Sequence, residues 1–578
     1  MQNRRGFFQG GALWGAHSPR AQSEIRNAQI QHARIRRPVP FQIARISIMK
    51  NTLHIAAAFA AALITPLSAP AHAETVSYVP MDDAARQMYL KRIIPAPKSA
   101  DFRDGKFYRI ADNCKVEIKI ADTGKISPRE AAEKFRRIFK KYWGADPDIS
   151  LSVAKENSER IKPDAYEISA DSETLSLESS DMGGAENALK TARQLSESER
   201  GGEEFAAYVL PQMKISDEPS MRFRGIHICH FPESTFYEFV RAIRLAAYYK
   251  LNYAVIEFWG TYPFKDYPEL SWEEHALSRA QIREIKAAAD EAGITLIPQF
   301  NMLGHASGAR ELTGKHCALY KSPKLQNHFE PEGWSWCISN PKTIEMLKGA
   351  MEDLRQSFGN PPFFHIGFDE SYEVGTCALC RKTGTPAELI KRHVLSLREA
   401  AKANGARLIM WHDMLLDRED KRWENYNVCG RARQNLSKLH AELPRDIVIA
   451  DWQYGYPKQN DRENVWPTAK YFSENGFDTL LCPWLNQKGI IAQGKFAREN
   501  GLFGMLQTTW GQLRGRQMQY IFSQIAASAW GAPAMSFEDR RNRMSFNHHI
   551  QQMDWDMKCA RYTDSGYSNN EDMLTKYL

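Results

Sequence analysis

The stretch "FFHIGFDES", Phe363 to Ser371, runs from apolar, strand-like chain straight into two adjacent carboxylates, Asp369 and Glu370. Neighbouring acids repel, and each makes it harder for the other to ionise. Such a pair suits chemistry in which one group donates a proton and the other steadies a developing positive charge. A surface acid pair at a helix start, where the dipole favours carboxylates, is the competing reading.

Other chemistry-bearing residues recur in the same position, just past apolar runs. Glu257, Phe258 and Trp259 close one run, and Gln299, Asn301 and His305 follow the next. Later runs end in Trp411 with Asp413, in Asp451 with Trp452 and Tyr454, in Trp484 with Asn486, and in Trp510. Aromatic faces cover the C–H surfaces of sugars, while carboxylates and amides bind hydroxyls. A single tryptophan reads first as core packing, but recurrence at successive strand ends points to a carbohydrate site. His305 either meets the acids and the sugar or holds a glycine-containing turn, and His365 reads as a packed strand residue. The nine cysteines are scattered. "CALC", Cys377 to Cys380, has no second CxxC to complete a zinc site. A disulfide, free thiols and a partial metal site stay open there, with a structural role favoured. No metal and no cofactor is expected.

The elements that must position these residues are legible from Arg222 onward, where strand and helix patterns alternate as in βαβ units. Strand candidates are "FRGIHIC", "YAVIEF", "TLIPQF", "FFHIG", "RLIMW", "DIVIADW", "TLLCPW" and "GMLQTT". About eight parallel strands are what a closed (β/α)₈ barrel requires, with the active site at their C-terminal ends. An open doubly wound sheet is the alternative. Thr235 with Glu238 and Ser278 with Gln281 are capping-box pairs. Asn340-Pro341 opens another helix, and Gly293 and Gly405 mark helix ends. The preceding part, residues 74–217, mixes strands with an amphipathic helix, "PREAAEKFRRIFKKYW", whose Ala132, Phe135, Ile138, Phe139 and Trp143 fall near one face. The expected fold is α/β: a small α+β domain over 74–217, then a (β/α)₈ TIM barrel over 218–578.

The net charge of +7 suggests a polyanion partner, but residues 1–48 hold eight arginines and one glutamate and so carry all of it. A neutral body has no footprint for nucleic acid. "MKNTLHIAAAFAAALITPLSAPAHAET" from Met49 has a charged start at Lys50, an apolar run from Ile55 to Ile64, and "AHA" at Ala71 to Ala73. This reads as a signal peptide over 49–73 with cleavage after Ala73. The run is too short for a transmembrane anchor, so no membrane span is expected in the mature chain. Residues 1–48 then read as a misassigned extension; Arg4-Arg5 as a twin-arginine signal is the lesser reading. The expected location is secreted or periplasmic.

"HIGFDE" resembles the His-x-Gly-x-Asp-Glu signature of glycoside hydrolase family 20, the β-N-acetylhexosaminidases. "IPQFNMLGHA", "MWHDML" and "TTWGQ" are similar to that family's third-strand, fifth-strand and late-tryptophan segments. "YAVIEFWGTYPF", "WCISNP" and "HIGFDESYEVG" resemble most the hexosaminidase D branch, where N-acetylgalactosaminides are good substrates. The resemblance implies an exo-acting enzyme on terminal β-linked N-acetylgalactosamine or N-acetylglucosamine of a glycoside or oligosaccharide. It implies Glu370 as the acid and Asp369 as the partner of the substrate's acetamide, with the 2-acetamido oxygen as nucleophile and retention of configuration. Glu257, His305, Trp411, Asp413, Trp452, Tyr454, Trp484, Asn486 and Trp510 are the expected substrate-binding residues, with Trp411, Trp452, Trp484 and Trp510 as the pocket wall. The sequence departs from the family pattern at "RGIHICHFP", where Cys229 and His230 stand near the usual sugar-binding arginine. It departs again at Gln299 and Asn301, where acids are common. A barrel glycosidase of different specificity, or a carbohydrate-binding protein without turnover, is the alternative.

Overall fold

The computed structural model describes residues 82–201, 204–306, 322–455, 465–511 and 516–552 apart from 537, 538, 540 and 541. The expected extension and signal peptide, residues 1–73, lie outside the described residues.

The first described part is an α+β domain. Its strands are β1 (Ser99–Ile110), β2 (Lys115–Ile120), β3 (Asp148–Val153), β4 (Tyr166–Ala170), β5 (Thr174–Ser179), β6 (Glu197–Gly201) and β7 (Glu204–Asp217). They form one sheet in the order β1-β7-β4-β5-β2-β3, with β6 paired to β7. Strand β2 alternates exposed and buried, so Val116, Ile118 and Ile120 enter the core while Lys115, Glu117 and Lys119 face out. The helix Pro128–Trp143 starts at a full capping box between Ser127 and Glu130. It buries Ala131, Phe135, Ile138, Phe139 and Trp143. The inward alanine is Ala131 rather than the expected Ala132, because the stripe tilts by one position at its start.

Eight parallel strands then close into a barrel: β8 (Phe223–His230), β9 (Tyr253–Phe258), β10 (Thr295–Gln299), β11 (Phe363–His365), β12 (Arg407–Trp411), β13 (Val448–Trp452), β14 (Thr479–Cys482) and β15 (Gly504–Gln507). All eight coincide with the expected apolar runs. The ring closes through β8, which pairs with β15 on one side and β9 on the other. Thr235, Ser278 and Asn340 cap the helices that follow them, and Gly293 ends one in the left-handed region. Side chains alternate between two cores. Phe223, Val255, Ile297, Ile409, Val448, Leu480 and Leu506 fill the barrel interior. Ile226, Ile256, Leu296, Leu408, Met410, Ile449, Leu481 and Met505 point outward against the helices.

Barrel and small domain join through buried polar contacts. Asp217, at the end of β7, accepts from the Tyr166 hydroxyl at 3.0 Å and the Trp530 indole N–H at 2.9 Å. Lys250 lies 3.4 Å from the same carboxylate. Burial lowers the Lys250 ammonium to about 8, and Asp217 opposes that shift. Among the described residues no helix is long and apolar enough to cross a membrane.

Candidate active site

Asp369 and Glu370 follow the end of β11. In a continuing strand Asp369 and Glu370 would point to opposite faces. The strand stops at His365, and the backbone then takes positive φ at Gly367 (68°), Phe368 (95°) and Glu370 (51°). Non-glycine residues held there cost roughly 1–3 kcal/mol each, a cost the surrounding packing must offset. The result is convergence. His305 Nε2 lies 3.2 Å from Asp369 Oδ2 and 3.1 Å from Glu370 Oε2. One imidazole therefore sits between the two acids and relieves their repulsion when protonated. Gly304 makes the approach feasible: a Cβ there would lie 2.4 Å from the Asp369 carbonyl oxygen and 2.6 Å from Ser371 Oγ.

The two acids differ in access. The Glu370 side chain is 34% exposed and that of Asp369 9%. Glu370 can thus meet a leaving group from solvent, whereas Asp369 meets whatever fills the pocket. Glu370 is fixed from three directions. Its backbone N–H donates to Asp413 Oδ2 at 3.0 Å, Tyr372 donates to its Oε1 at 3.1 Å, and its carbonyl accepts from the Trp334 indole at 2.9 Å. Trp334 also packs on His305, with ring centroids 4.4 Å apart. Trp334 and Tyr372 were not among the expected site residues. Trp334 belongs to a loop whose sequence has no period and lies two residues before the "WCISNP" segment, while Tyr372 lies two residues past Glu370, inside "HIGFDESYEVG".

Asp413, just past β12, ties the acids to the aromatic side. Its Oδ1 accepts from the Trp452 indole at 3.0 Å. Burial, and then the nearby Asp369 charge, raise the Asp413 carboxyl from 3.8 to about 7, against the two hydrogen bonds it accepts. The folded state therefore holds this proton where the unfolded chain has lost it. The associated stability is complete below pH 3.8 and disappears as pH rises through 7. Asp413→Asn is expected to flatten the fall in melting temperature between about pH 4 and pH 7; parallel profiles for wild type and variant would contradict it.

Trp452, Tyr454, Trp484 and Trp510 are half-buried and contiguous. Ring centroids of Trp452 and Tyr454 are 5.2 Å apart, and those of Tyr454 and Trp484 5.4 Å. Trp510 donates its N–H to the Tyr454 hydroxyl at 2.5 Å. Burial, with a smaller contribution from the Asp369 charge, keeps the Tyr454 phenol protonated well above its ordinary value.

Three expected ligands sit differently. Trp411 is 0% exposed. Its position in β12 turns it into the barrel interior, packed on His365 at 4.4 Å and beneath Trp510 at 5.8 Å. It supports the wall instead of forming its surface. Glu257 is 1% exposed and already engaged, with His227 Nε2 at 3.0 Å and the Asn301 amide at 2.7 Å. It places a buried carboxylate from β9 beside Asn301, just past β10. Asn486 is exposed and accepts from Gly489 N–H at 2.9 Å as the cap of the helix Gln487–Glu499. His230, near the position of the family's arginine, is buried against Thr261 at 2.8 Å, and burial lowers it to about 4. His365 is buried and accepts from the Gly367 N–H at 3.0 Å, as a packed strand residue should.

Of the alternatives left open at Cys377 and Cys380, the structure adds neighbours rather than a disulfide. Cys337 joins Cys377 and Cys380, with Glu330, in a cluster distant in sequence. A second trio, His227, Cys229 and Glu257, lies at the barrel mouth.

The family model described as glycosyl hydrolase family 20, catalytic domain, matches residues 225–484, and that of domain 2 of the same family matches residues 91–218. A beta-hexosaminidase of Porphyromonas gingivalis is 23% identical over 364 residues, covering 56% of this chain and 45% of that protein. Hexosaminidase D of Bos taurus is 20% identical over 282 residues, covering 45% of this chain and 75% of that one. The chain spans about half the length of the curated relatives it matches. In fold it is similar to the beta-N-acetylhexosaminidase from Bacteroides fragilis NCTC 9343, with a TM-score of 0.57 and 17% identity over 80% of this chain and 96% of that one. With both of its parts matched to consecutive domains of a single family, the chain belongs to glycosyl hydrolase family 20.

Proposed function

We propose that the protein is an exo-acting β-N-acetylhexosaminidase that removes terminal β-linked N-acetylgalactosamine or N-acetylglucosamine with net retention. The observation that carries this reading is the convergence of two sequence-adjacent acids, unequal in exposure, on one histidine. An acid and a protein nucleophile need to flank the scissile bond roughly 5–5.5 Å apart. Adjacent residues whose carboxylates share one imidazole suit that arrangement poorly. They suit attack by the substrate's own 2-acetamido oxygen on the anomeric carbon. The bond to the departing oxygen breaks as Glu370 delivers its proton to that oxygen. Asp369 accepts from the acetamide N–H and stabilises the cyclic oxazolinium that forms. Glu370, now a carboxylate, then takes a proton from the water that opens the ring. Trp452, Trp484 and Trp510 supply faces for the sugar, and Tyr454 places a phenol beside Asp369.

Chromogenic β-N-acetylgalactosaminide, β-N-acetylglucosaminide and plain β-galactoside distinguish the readings. Both N-acetylated substrates, or one of them, should be cleaved and the plain galactoside should be nearly inert, because it lacks the nucleophile. Equal rates on galactoside and N-acetylgalactosaminide would eliminate the mechanism. The similarity to hexosaminidase D supports N-acetylgalactosaminide as the better substrate.

Export to the periplasm or medium is part of the same proposal, supported by Lys50, the apolar run Ile55–Ile64 and Ala71–Ala73. Mass spectrometry of the exported protein should find Glu74 at the N-terminus, and an intact Met1 in that fraction would overturn it.

A further inference from the structure

Outside the acid pair, the densest grouping of metal-binding side chains among the described residues sits one layer behind it. Cys337 lies in the loop between β10 and the helix Pro341–Ser357, while Cys377 and Cys380 lie past β11. Glu330 comes from the same loop as Cys337. One ligand atom from each of the four falls within 4.8 Å of the others. Cys337, Cys380 and Glu330 are buried, and Cys377 is half-buried. Four groups that each carry a negative charge when deprotonated have thus been gathered into one poorly hydrated place.

 Among the described residues no lysine or arginine pairs with Glu330; its carboxylate is instead held by the backbone N–H groups of Gly375, Thr376 and Cys377 at 3.2, 3.0 and 2.6 Å and by the Thr376 hydroxyl at 3.2 Å. Those four hydrogen bonds hold the buried carboxylate beside the three thiols, where it can join them around one cation.

The spacings fit one cation. Cys337 Sγ lies 3.5 Å from Cys377 Sγ and 3.7 Å from Cys380 Sγ. Three thiolates around a tetrahedral zinc at about 2.3 Å would stand about 3.8 Å apart. The backbone N–H of Cys380 donates to Cys377 Sγ at 3.3 Å, a bond that favours the thiolate. A disulfide accounts for the cluster less well, since it joins two sulfurs at about 2.05 Å and leaves the third thiol and the carboxylate without a task.

We infer that Cys337, Cys377 and Cys380, with Glu330 as the fourth ligand, form a structural zinc site that clamps the loop after β10 to the acid-bearing loop after β11. Binding displaces the thiol protons to solvent, and no electron is transferred. The clamp has a mechanical consequence. The same two loops are laced by Glu373, whose carboxylate accepts from the N–H groups of Glu332, Trp334 and Ser335 at 2.8, 2.6 and 2.8 Å. Trp334 in turn holds the Glu370 carbonyl. A metal here would therefore act as a positioning element for the acid and touch no substrate.

The test is metal content of the whole protein, purified under reducing conditions and reconstituted with zinc alone, measured by plasma mass spectrometry beside a thiol titration. About one zinc per chain is expected. Exchange with cobalt should give a thiolate charge-transfer band and the visible bands of a tetrahedral centre, a readout on the wild-type chain that needs neither activity nor a folded variant. Cys377→Ser/Cys380→Ser should abolish both signals. Less than a tenth of an equivalent of zinc after reconstitution, cobalt spectra without thiolate bands, or a disulfide between any two of these cysteines in the reducing preparation would each overturn the site.

Discussion

Glu370→Gln is expected to lower turnover of substrates with poor leaving groups by roughly 10²–10⁴-fold, the usual contribution of a positioned general acid. The amide matches the carboxylate in shape and can keep the contact from Tyr372, which donates to Glu370 Oε1 at 3.1 Å. What it cannot do is deliver a proton to the departing oxygen. The loss should shrink for aryl glycosides whose leaving groups depart without protonation, because the first step then needs no acid. Its dependence on leaving group is the diagnostic, read from kcat/KM across a series of substituted phenyl N-acetyl-β-glycosides. A defect of the same size across that series would remove Glu370 from the acid's role and leave it a binding residue.

Asp369→Asn is expected to cost a similar factor, roughly 10²–10³-fold, but independently of the leaving group. Asp369 is 9% exposed at its side chain and lies 3.2 Å from His305, so its charge acts in a poorly solvated place where electrostatic stabilisation is strong. The asparagine leaves the acid in place, removes the charge that steadies the oxazolinium, and can no longer accept from the acetamide N–H at both oxygens. Good leaving groups do not compensate for either loss. If Asp369→Asn recovered on activated substrates as Glu370→Gln does, the two residues would share one task and the division proposed for them would be wrong. Circular dichroism of the same preparation shows whether the variant is folded, which separates loss of charge from loss of fold.

The barrel was legible in the sequence because its strands are short apolar runs bounded by polar or glycine residues, and the helices between them carry caps at Thr235, Ser278 and Asn340. Those signals are local: a run of side chains and its flanks decide whether that segment can bury itself. The acid pair was legible for the same reason, since Asp369 and Glu370 sit where the run "FFHIG" ends. The sequence also placed Trp452, Tyr454, Trp484 and Trp510 at strand ends, where the structure finds a contiguous half-buried aromatic group.

What only the tertiary structure decided are relations between residues far apart in the chain. The face of β12 that Trp411 occupies depends on the pairing register with β11 and β13, and that register turns the indole into the barrel interior. His305 reaches both acids because Gly304 lets the loop after β10 touch the loop after β11. Glu257 becomes the partner of Asn301 because β9 and β10 lie side by side, with Gln299 in register with Glu257. Cys337 meets Cys377 across 40 residues for a comparable reason. A pattern of types along the chain states which segments bury which faces; it holds no information on which distant side chains share a point in space, because that follows from barrel closure, strand register and the paths of two loops.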